Sequence, residues 1–83
     1  MKYSQEEILL FPNPVTAQLN INNLGGHFEN ILLTDQLGRA KIDKQVTGNS
    51  IVLDLSKLPE GIYFLSAFSK SGKYSSNHKI IKL

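Results

Sequence analysis

The sequence is divided into short apolar runs by turn-forming residues that recur about every 8–12 residues. Within the runs, apolar residues stand at every second position, which is the period of a strand with one buried face. The breaks lie, in chain order, at Pro12-Asn13-Pro14, Gly25-Gly26, 35–38, 47–50, 58–61 and 70–73. This spacing predicts seven short strands and no helix, arranged as an antiparallel, immunoglobulin-like β-sandwich with Greek-key connections.

Proline and polar residues mark the strands that are expected at the sheet edges. Pro12 and Pro14 have no backbone N–H to donate to a ladder, so the run Ile8–Phe11 is expected to be an edge strand that ends or switches sheet there. The strand over residues 39–46 is mostly polar and is expected at another edge. By contrast, Ile62–Phe68 is apolar on both faces, which predicts the most buried strand of the domain.

Three of the breaks have a specific turn chemistry. Gly25-Gly26 predicts a hairpin-type break, and Asp35-Gln36-Leu37-Gly38 predicts a type I turn closed by a glycine that can take a positive φ. Leu58-Pro59-Glu60-Gly61 predicts a corner, and Tyr63 just after it resembles the tyrosine corner of Greek-key sandwiches. In that arrangement the ring packs inside and the hydroxyl binds upstream backbone, so we expect Tyr63 to stabilise the fold.

Length and composition restrict the class of protein further. The chain has 83 residues, enough for one small domain, and it contains no cysteine, which excludes disulfides, thiolate metal sites and cysteine nucleophiles. No run approaches the ~18 apolar residues of a membrane-spanning helix, so membrane insertion is not expected. Residues 1–7 lack the apolar core of a signal peptide. An exported form would therefore need its signal on a larger precursor, of which this chain is an excised piece.

The residue pattern predicts neither an enzyme nor a metal or cofactor site. His27 and His78 lie far apart and lack metal-ligand spacing. The chain has no Gly-x-Ser-x-Gly motif and no complete phosphate-binding loop. Its acidic residues are scattered over turns and outward strand positions, and no acidic loop has calcium-site spacing.

Charge is distributed unevenly along the chain. Residues 1–60 contain five Lys/Arg and seven Asp/Glu, a balance of −2, whereas residues 61–83 contain four Lys and no acid, a balance of +4. The final segment, Lys79-Ile80-Ile81-Lys82-Leu83, is apolar, strand-prone and cationic. Some of the lysines are interleaved with aromatic residues, but the rest of the chain is acidic and has no RNA-binding signature, so nucleic acid is not an expected partner.

Five sequence pieces in a fixed order carry a family likeness. They are Phe11-Pro12-Asn13-Pro14, Leu19-Asn20-Ile21, Asp35-Gln36-Leu37-Gly38-Arg39, residues 55–65 with Leu-Pro-Glu-Gly-Ile-Tyr, and Lys79–Leu83. Together they resemble the C-terminal sorting domain of the type IX secretion system, the type A class of the Por secretion tail family. The likeness runs from about Leu10 to Leu83, with Thr34 replacing a usual aromatic residue and Ala40 a usual valine.

The resemblance implies an export function in a Bacteroidetes-type bacterium. Residues 10–83 would form the sorting domain, and residues 1–9 would hold a linker remnant and the start of the first strand. The implied partners are a fused N-terminal cargo, the outer-membrane translocon with its shuttle proteins, and a cell-surface sortase-like peptidase. The protein would fold in the periplasm and then reach the cell surface or medium, where the domain is cleaved off and the cargo is released or joined to lipopolysaccharide.

The resemblance also assigns roles to residues. The sorting signal would be Lys79, Ile80, Ile81, Lys82 and Leu83. Motif residues with a structural role would be Pro12, Asn13, Pro14, Asp35, Gly38, Arg39, Leu58, Pro59, Gly61 and Tyr63.

Strand alternation divides the last five residues between two faces, with Lys79, Ile81 and Leu83 on one and Ile80 and Lys82 on the other. We expect Ile81 and Leu83 to anchor the segment and Lys82 to stay available, with a free strand edge open to capture by strand addition. A competing interpretation is that the segment is only the last strand of the sheet, so that its removal would unfold the domain.

A carbohydrate-binding or adhesive β-sandwich module is the alternative function. Such modules usually present several aromatic side chains on one platform, and the candidates here are Tyr3, Tyr74 and Phe28. An enzyme is the third candidate, against which the missing catalytic constellation argues.

Overall fold

The computed structural model describes residues 8–25, 28–72 and 75–83. Over these residues the chain forms seven strands: β1 (Leu9–Phe11), β2 (Gln18–Asn22), β3 (Asn30–Asp35), β4 (Ala40–Gln45), β5 (Ile51–Asp54), β6 (Gly61–Phe68) and β7 (Ser75–Lys82). The described part of the chain contains no helix, and accordingly none that could cross a membrane.

The strands form two antiparallel sheets that pack face to face. One sheet has the order β1-β2-β5 and the other has the order β4-β3-β6-β7. The chain passes from one sheet to the other after β2, after β4 and again after β5. This topology confirms the predicted immunoglobulin-like sandwich, and it confirms that β1 and β4 are edge strands.

The connection at Gly25 corrects one turn prediction. Instead of closing a hairpin, it joins β2 to β3 in the other sheet. The β2 strand already pairs with β1 on one side and β5 on the other, so neither of its edges is open to β3. The loop is held instead by Asn49, whose backbone oxygen accepts from Leu24 N at 2.9 Å and whose side-chain Oδ1 accepts from Gly25 N at 2.7 Å.

The core lies between the two sheets and contains the inward-facing residues, which alternate along each strand with outward-facing ones. Among the described residues, the largest fully buried side chains are Val15, Leu19, Ile21, Leu24, Ile31, Leu33, Leu53, Leu55, Leu65 and Ile80. These residues are aliphatic throughout, so interdigitating Leu, Ile and Val fill the space without any tryptophan. Phe28 and Leu58 are partly buried and pack against this cluster from the side.

The burial of β6 differs from the prediction on one face. The strand lies between β3 and β7 as expected of a central strand, and Tyr63, Leu65 and Ala67 are buried. On the opposite face, however, Phe64 is 41% exposed and Phe68 is 36% exposed. The prediction of burial on both faces is therefore wrong, because nothing in the described chain forms a third layer over this sheet.

The predicted tyrosine corner is present at the start of β6. Tyr63 is buried, and its hydroxyl donates to the backbone oxygen of Pro59 at 2.6 Å. Gly61 between them has a φ of +152°, a conformation that residues with a side chain rarely adopt. The corner therefore fixes the entry of β6 into the sheet through one hydrogen bond and one glycine.

Replacing Tyr63 with phenylalanine should remove the hydrogen bond and leave the ring in place. We expect Tyr63→Phe to lower the free energy of unfolding by about 1 kcal/mol, and Tyr63→Ala to cost several-fold more because it also opens a cavity. Urea denaturation of the wild type and both variants measures the difference. Equal midpoints for wild type and Tyr63→Phe would show that the hydroxyl makes no net contribution.

Candidate functional site

The structure brings most of the predicted motifs to one end of the sandwich. The cross-strand register places Asp35 opposite Tyr63 and Tyr63 opposite Ile80. It also places Gly61 opposite Lys82, which forms a parallel bridge with Val15 on its other side. Four segments that are remote in the sequence therefore meet where β7 ends.

Asn13 binds the last strand through its side chain. Its Nδ2 donates to the backbone oxygen of Lys79 at 3.0 Å, and its Oδ1 accepts from the backbone N–H of Ile81 at 3.0 Å. One donor and one acceptor in a planar amide reproduce what a backbone peptide group offers to a neighbouring strand. The side chain of Asn13 therefore extends the ladder of the sheet by one unit.

Val15 continues the same ladder with its backbone. Val15 N donates to Ile81 O at 2.8 Å, and Leu83 N donates to Val15 O at 2.8 Å. The side chain of Val15 is fully buried in the core. The chain therefore leaves the sheet of β1 at the Pro-Asn-Pro motif and pairs with β7 in the other sheet, as the prolines led us to expect. We call the four hydrogen bonds that join Asn13 and Val15 to residues 79–83 the clasp.

The clasp corrects the prediction of a free edge over Lys79–Leu83. Alternate residues of a strand direct their N–H and C=O groups to the same side. On the side of β7 away from β6, the carbonyl of Lys79, both groups of Ile81 and the N–H of Leu83 are bonded to Asn13 or Val15. Another strand cannot pair with this stretch unless the clasp opens first.

The inward face of the last strand is also opposite to the prediction. Ile80 is fully buried and Lys82 is 7% exposed, whereas Ile81 is 37% and Leu83 is 60% exposed. Lys82 therefore faces the core and is not the available cation that we expected. The stem of Lys82 is buried, its ammonium donates to the backbone oxygen of Leu83 at 3.0 Å, and its cross-strand neighbour is Gly61.

Asp35 organises the turn that leads from β3 to β4. Its Oδ1 accepts from the backbone N–H groups of Leu37 and Arg39, each at 2.9 Å, and its Oδ2 accepts from Arg39 Nε at 2.8 Å. Gly38 N donates to Asp35 O at 3.0 Å, with Gly38 at a φ of +83°. The backbone N–H of Arg39 is the largest influence that lowers the pKa of Asp35, and the Arg39 guanidinium and the Leu37 N–H add to it against the opposing effect of desolvation.

The family of the chain follows from comparison with known proteins. Residues 9–83 match the family model described as the secretion system C-terminal sorting domain, the Por secretion tail of type IX secretion. The chain belongs to this family. Of the sequence pieces that carried the likeness, Asn13 and Lys79–Leu83 take part in the clasp, and residues 61–65 pair with β7 beside it.

A solved structure shares the fold of this sorting domain. It is PorZ, described as an essential bacterial surface component of the type-IX secretion system of Porphyromonas gingivalis. The two chains superpose with a TM-score of 0.80 at 15% sequence identity, over 92% of this chain and 11% of the PorZ chain. This sorting domain therefore corresponds in extent to only a small part of PorZ. No curated protein matches the chain.

The other candidate residues are the histidines considered for a metal site and the aromatic residues considered for a sugar-binding platform. Residues 8–25, 28–72 and 75–83 contain no group of three or more side chains that could hold a metal ion. Of the three aromatic residues considered for a sugar platform, Phe28 packs against the core, and Tyr3 and Tyr74 lie outside the described residues. His27 is outside them too, whereas the Nε2 of His78 lies 2.6 Å from the hydroxyl of Ser76.

Removing the Asn13 side chain should weaken the clasp without disturbing the core. We expect Asn13→Ala to lower the free energy of unfolding by about 1–2 kcal/mol, because two hydrogen bonds are lost at an exposed position. Asn20→Ala is a matched control, since Asn20 Nδ2 donates to Phe11 O at 3.1 Å but does not contact β7. Urea denaturation should show the larger loss for Asn13→Ala, and equal losses would contradict the role given to the clasp.

The Asp35 turn predicts a dependence of stability on pH. Because the pKa of Asp35 is lowered from its ordinary value of 3.8, the carboxylate stabilises the fold above that pH, and this contribution is lost as the pH falls through the lowered pKa. Asp35→Asn should therefore lose less stability than the wild type on acidification from about pH 5 to pH 2. Denaturation midpoints across this range measure the effect, and parallel pH curves for the two proteins would refute it.

Proposed function

We propose that this domain directs a fused N-terminal cargo protein across the bacterial outer membrane through the type IX secretion system. The observation that carries the proposal is the match of residues 9–83 to the sorting-domain family. The shape of the domain is compatible with the role, because a signal that serves different cargoes must fold independently of them. In the part of the chain that the structure describes, seven strands enclose a core of their own.

We place the sorting signal in Lys79–Leu83, as the family resemblance implies. Two neighbours hold this segment in a defined geometry, β6 on one side and the clasp on the other. A rigid segment loses little conformational freedom when a receptor binds it, which favours recognition. The segment would therefore be displayed in the same way whatever cargo precedes the domain.

The remaining steps of the proposed route concern partners and location. The domain would fold in the periplasm, be recognised there by the outer-membrane translocon and its shuttle proteins, and emerge with its cargo at the cell surface. A sortase-like peptidase would then cut before the domain, near residues 1–9, and free the cargo. In this role the domain is a recognition element and performs no catalysis itself.

A fusion experiment tests the proposed function. The chain is joined to a fluorescent protein with a periplasmic signal peptide and expressed in a bacterium with type IX secretion. We expect the fluorescent protein at the cell surface or in the medium, shortened by the mass of the domain. The same protein without the domain should stay in the periplasm, and so should a fusion with Leu65→Asp, which places a charge in the core.

The outcome that would refute the proposal is periplasmic retention of the wild-type fusion together with a folded domain. Leu65→Asp disrupts the core but leaves Lys79–Leu83 in the chain. It therefore tests whether export needs a folded domain better than deletion of Lys79–Leu83 does. That deletion would remove Ile80 from the core and the β7 partners of the clasp at the same time. Charge reversal at Lys82 is equally unsuitable, because this side chain is buried.

A further inference from the structure

The outward face of β6 and β7 carries an apolar surface next to the clasp. Ile62 lies opposite Ile81, and Phe64 lies opposite Lys79, in the register of the two strands. Alternation places these side chains on the face opposite to buried Tyr63 and Ile80, and Leu83 continues the row. We call Ile62, Phe64, Lys79, Ile81 and Leu83 the outer surface.

The outer surface contains the side chains of the last strand that remain accessible to a partner. The clasp occupies the strand edge over residues 79–83, and Ile80 and Lys82 face inward. Of the five residues of the segment, only Lys79, Ile81 and Leu83 direct exposed side chains to solvent. A partner that binds the closed form must therefore contact side chains on the outer face.

The outer surface joins apolar area to positive charge. Phe64 is 41% exposed, Ile81 37% and Leu83 60%, and large exposed apolar side chains that lie together often mark a protein interface. Lys79 beside them is exposed and has no ion pair among the residues that the structure describes. Residues 61–83 contain no acid, and the nearest acid in the sequence is Glu60 at the corner before β6.

We propose that the outer surface is the docking site of the sorting domain for an acidic, apolar surface on a protein of the export machinery. The proposal rests on the proposed function. Charge complementarity selects this partner, because the ammonium of Lys79 needs a carboxylate opposite it when Phe64 and Ile81 are covered. Recognition then combines Lys79, Ile81 and Leu83 of the signal segment with Ile62 and Phe64 of β6, which lie outside that segment.

The test uses the fluorescent fusion with single substitutions. Lys79→Glu and Ile81→Thr change the outer surface, and Thr keeps the β-branched shape that a strand favours. Lys44→Glu in β4 and Val52→Thr in β5 are the matched controls, since both positions are exposed and lie away from the outer surface. We expect the first pair to reduce the initial export rate about tenfold each and the controls to export at the wild-type rate.

Two further measurements separate recognition from folding. The unfolding midpoint of each purified domain should stay near that of the wild type. Lys79→Arg keeps the charge and should restore export, whereas Lys79→Gln keeps the length of the side chain without the charge and should not. Together these variants test the surface even if Ile81→Thr fails to fold.

Several results would overturn the docking site. Normal export of Lys79→Glu and Ile81→Thr would do so and would leave the proposed function intact, as would equal losses in the Lys44→Glu and Val52→Thr controls. Light scattering that shows a wild-type dimer which Ile81→Thr dissociates would assign the surface to a second copy of the chain. Retention of the wild-type fusion itself would instead refute the proposed function on which the docking site depends.

Discussion

The hydrogen bonds between the Pro-Asn-Pro-Val segment and β7 determine how this domain presents its last strand. Asn13 supplies a side-chain amide where the neighbouring strand would supply a peptide group, and Val15 supplies the next backbone pair. The two prolines cannot donate to a ladder themselves, so the amide between them makes the contact that the backbone cannot make there. The segment closes an edge that would otherwise be open to strand addition.

While the clasp closes this edge, the terminal segment Lys79–Leu83 can contact a partner only through its exposed side chains. Two of its five side chains are buried, because Ile80 is in the core and Lys82 lies between Gly61 and Val15. The inner residues therefore have the position that the interpretation as a last strand expects, whereas the effect of removing them stays a prediction. The outer residues are those left for recognition, so folding and the proposed signalling divide between the two faces of one strand.

Much of the architecture could be predicted from the sequence because each strand has its own alternating pattern. The breaks at proline, glycine and asparagine located all seven strands, and the Leu-Pro-Glu-Gly-Ile-Tyr piece located the tyrosine corner. Partner choice between strands was harder to predict. Gly25-Gly26 has the composition of a hairpin turn, yet β2 pairs with β5, which is distant in the sequence.

The alternating pattern does not predict which face of β7 points to the core. Lys-Ile-Ile-Lys-Leu places one lysine and at least one aliphatic residue on each face, so amphipathicity alone does not select the inner face. In the folded chain Ile80 joins the buried cluster and the ammonium of Lys82 donates to the backbone oxygen of Leu83, and the alternating pattern does not reveal either contact. The contact of Asn13 with β7 is equally invisible in the sequence, because it joins residues separated by 66 and 68 positions.

Amide hydrogen exchange along β7 of the unmodified protein measures whether the clasp closes this strand edge. The N–H groups of Ile81 and Asn77 point to the same side of the strand, but the clasp covers only Ile81. We expect Ile81 and Leu83 to exchange slowly, at rates close to those of global unfolding, and Asn77 to exchange fast. Exchange of Ile81 and Leu83 as fast as that of Asn77 would show that the edge is open and that the clasp does not hold the last strand.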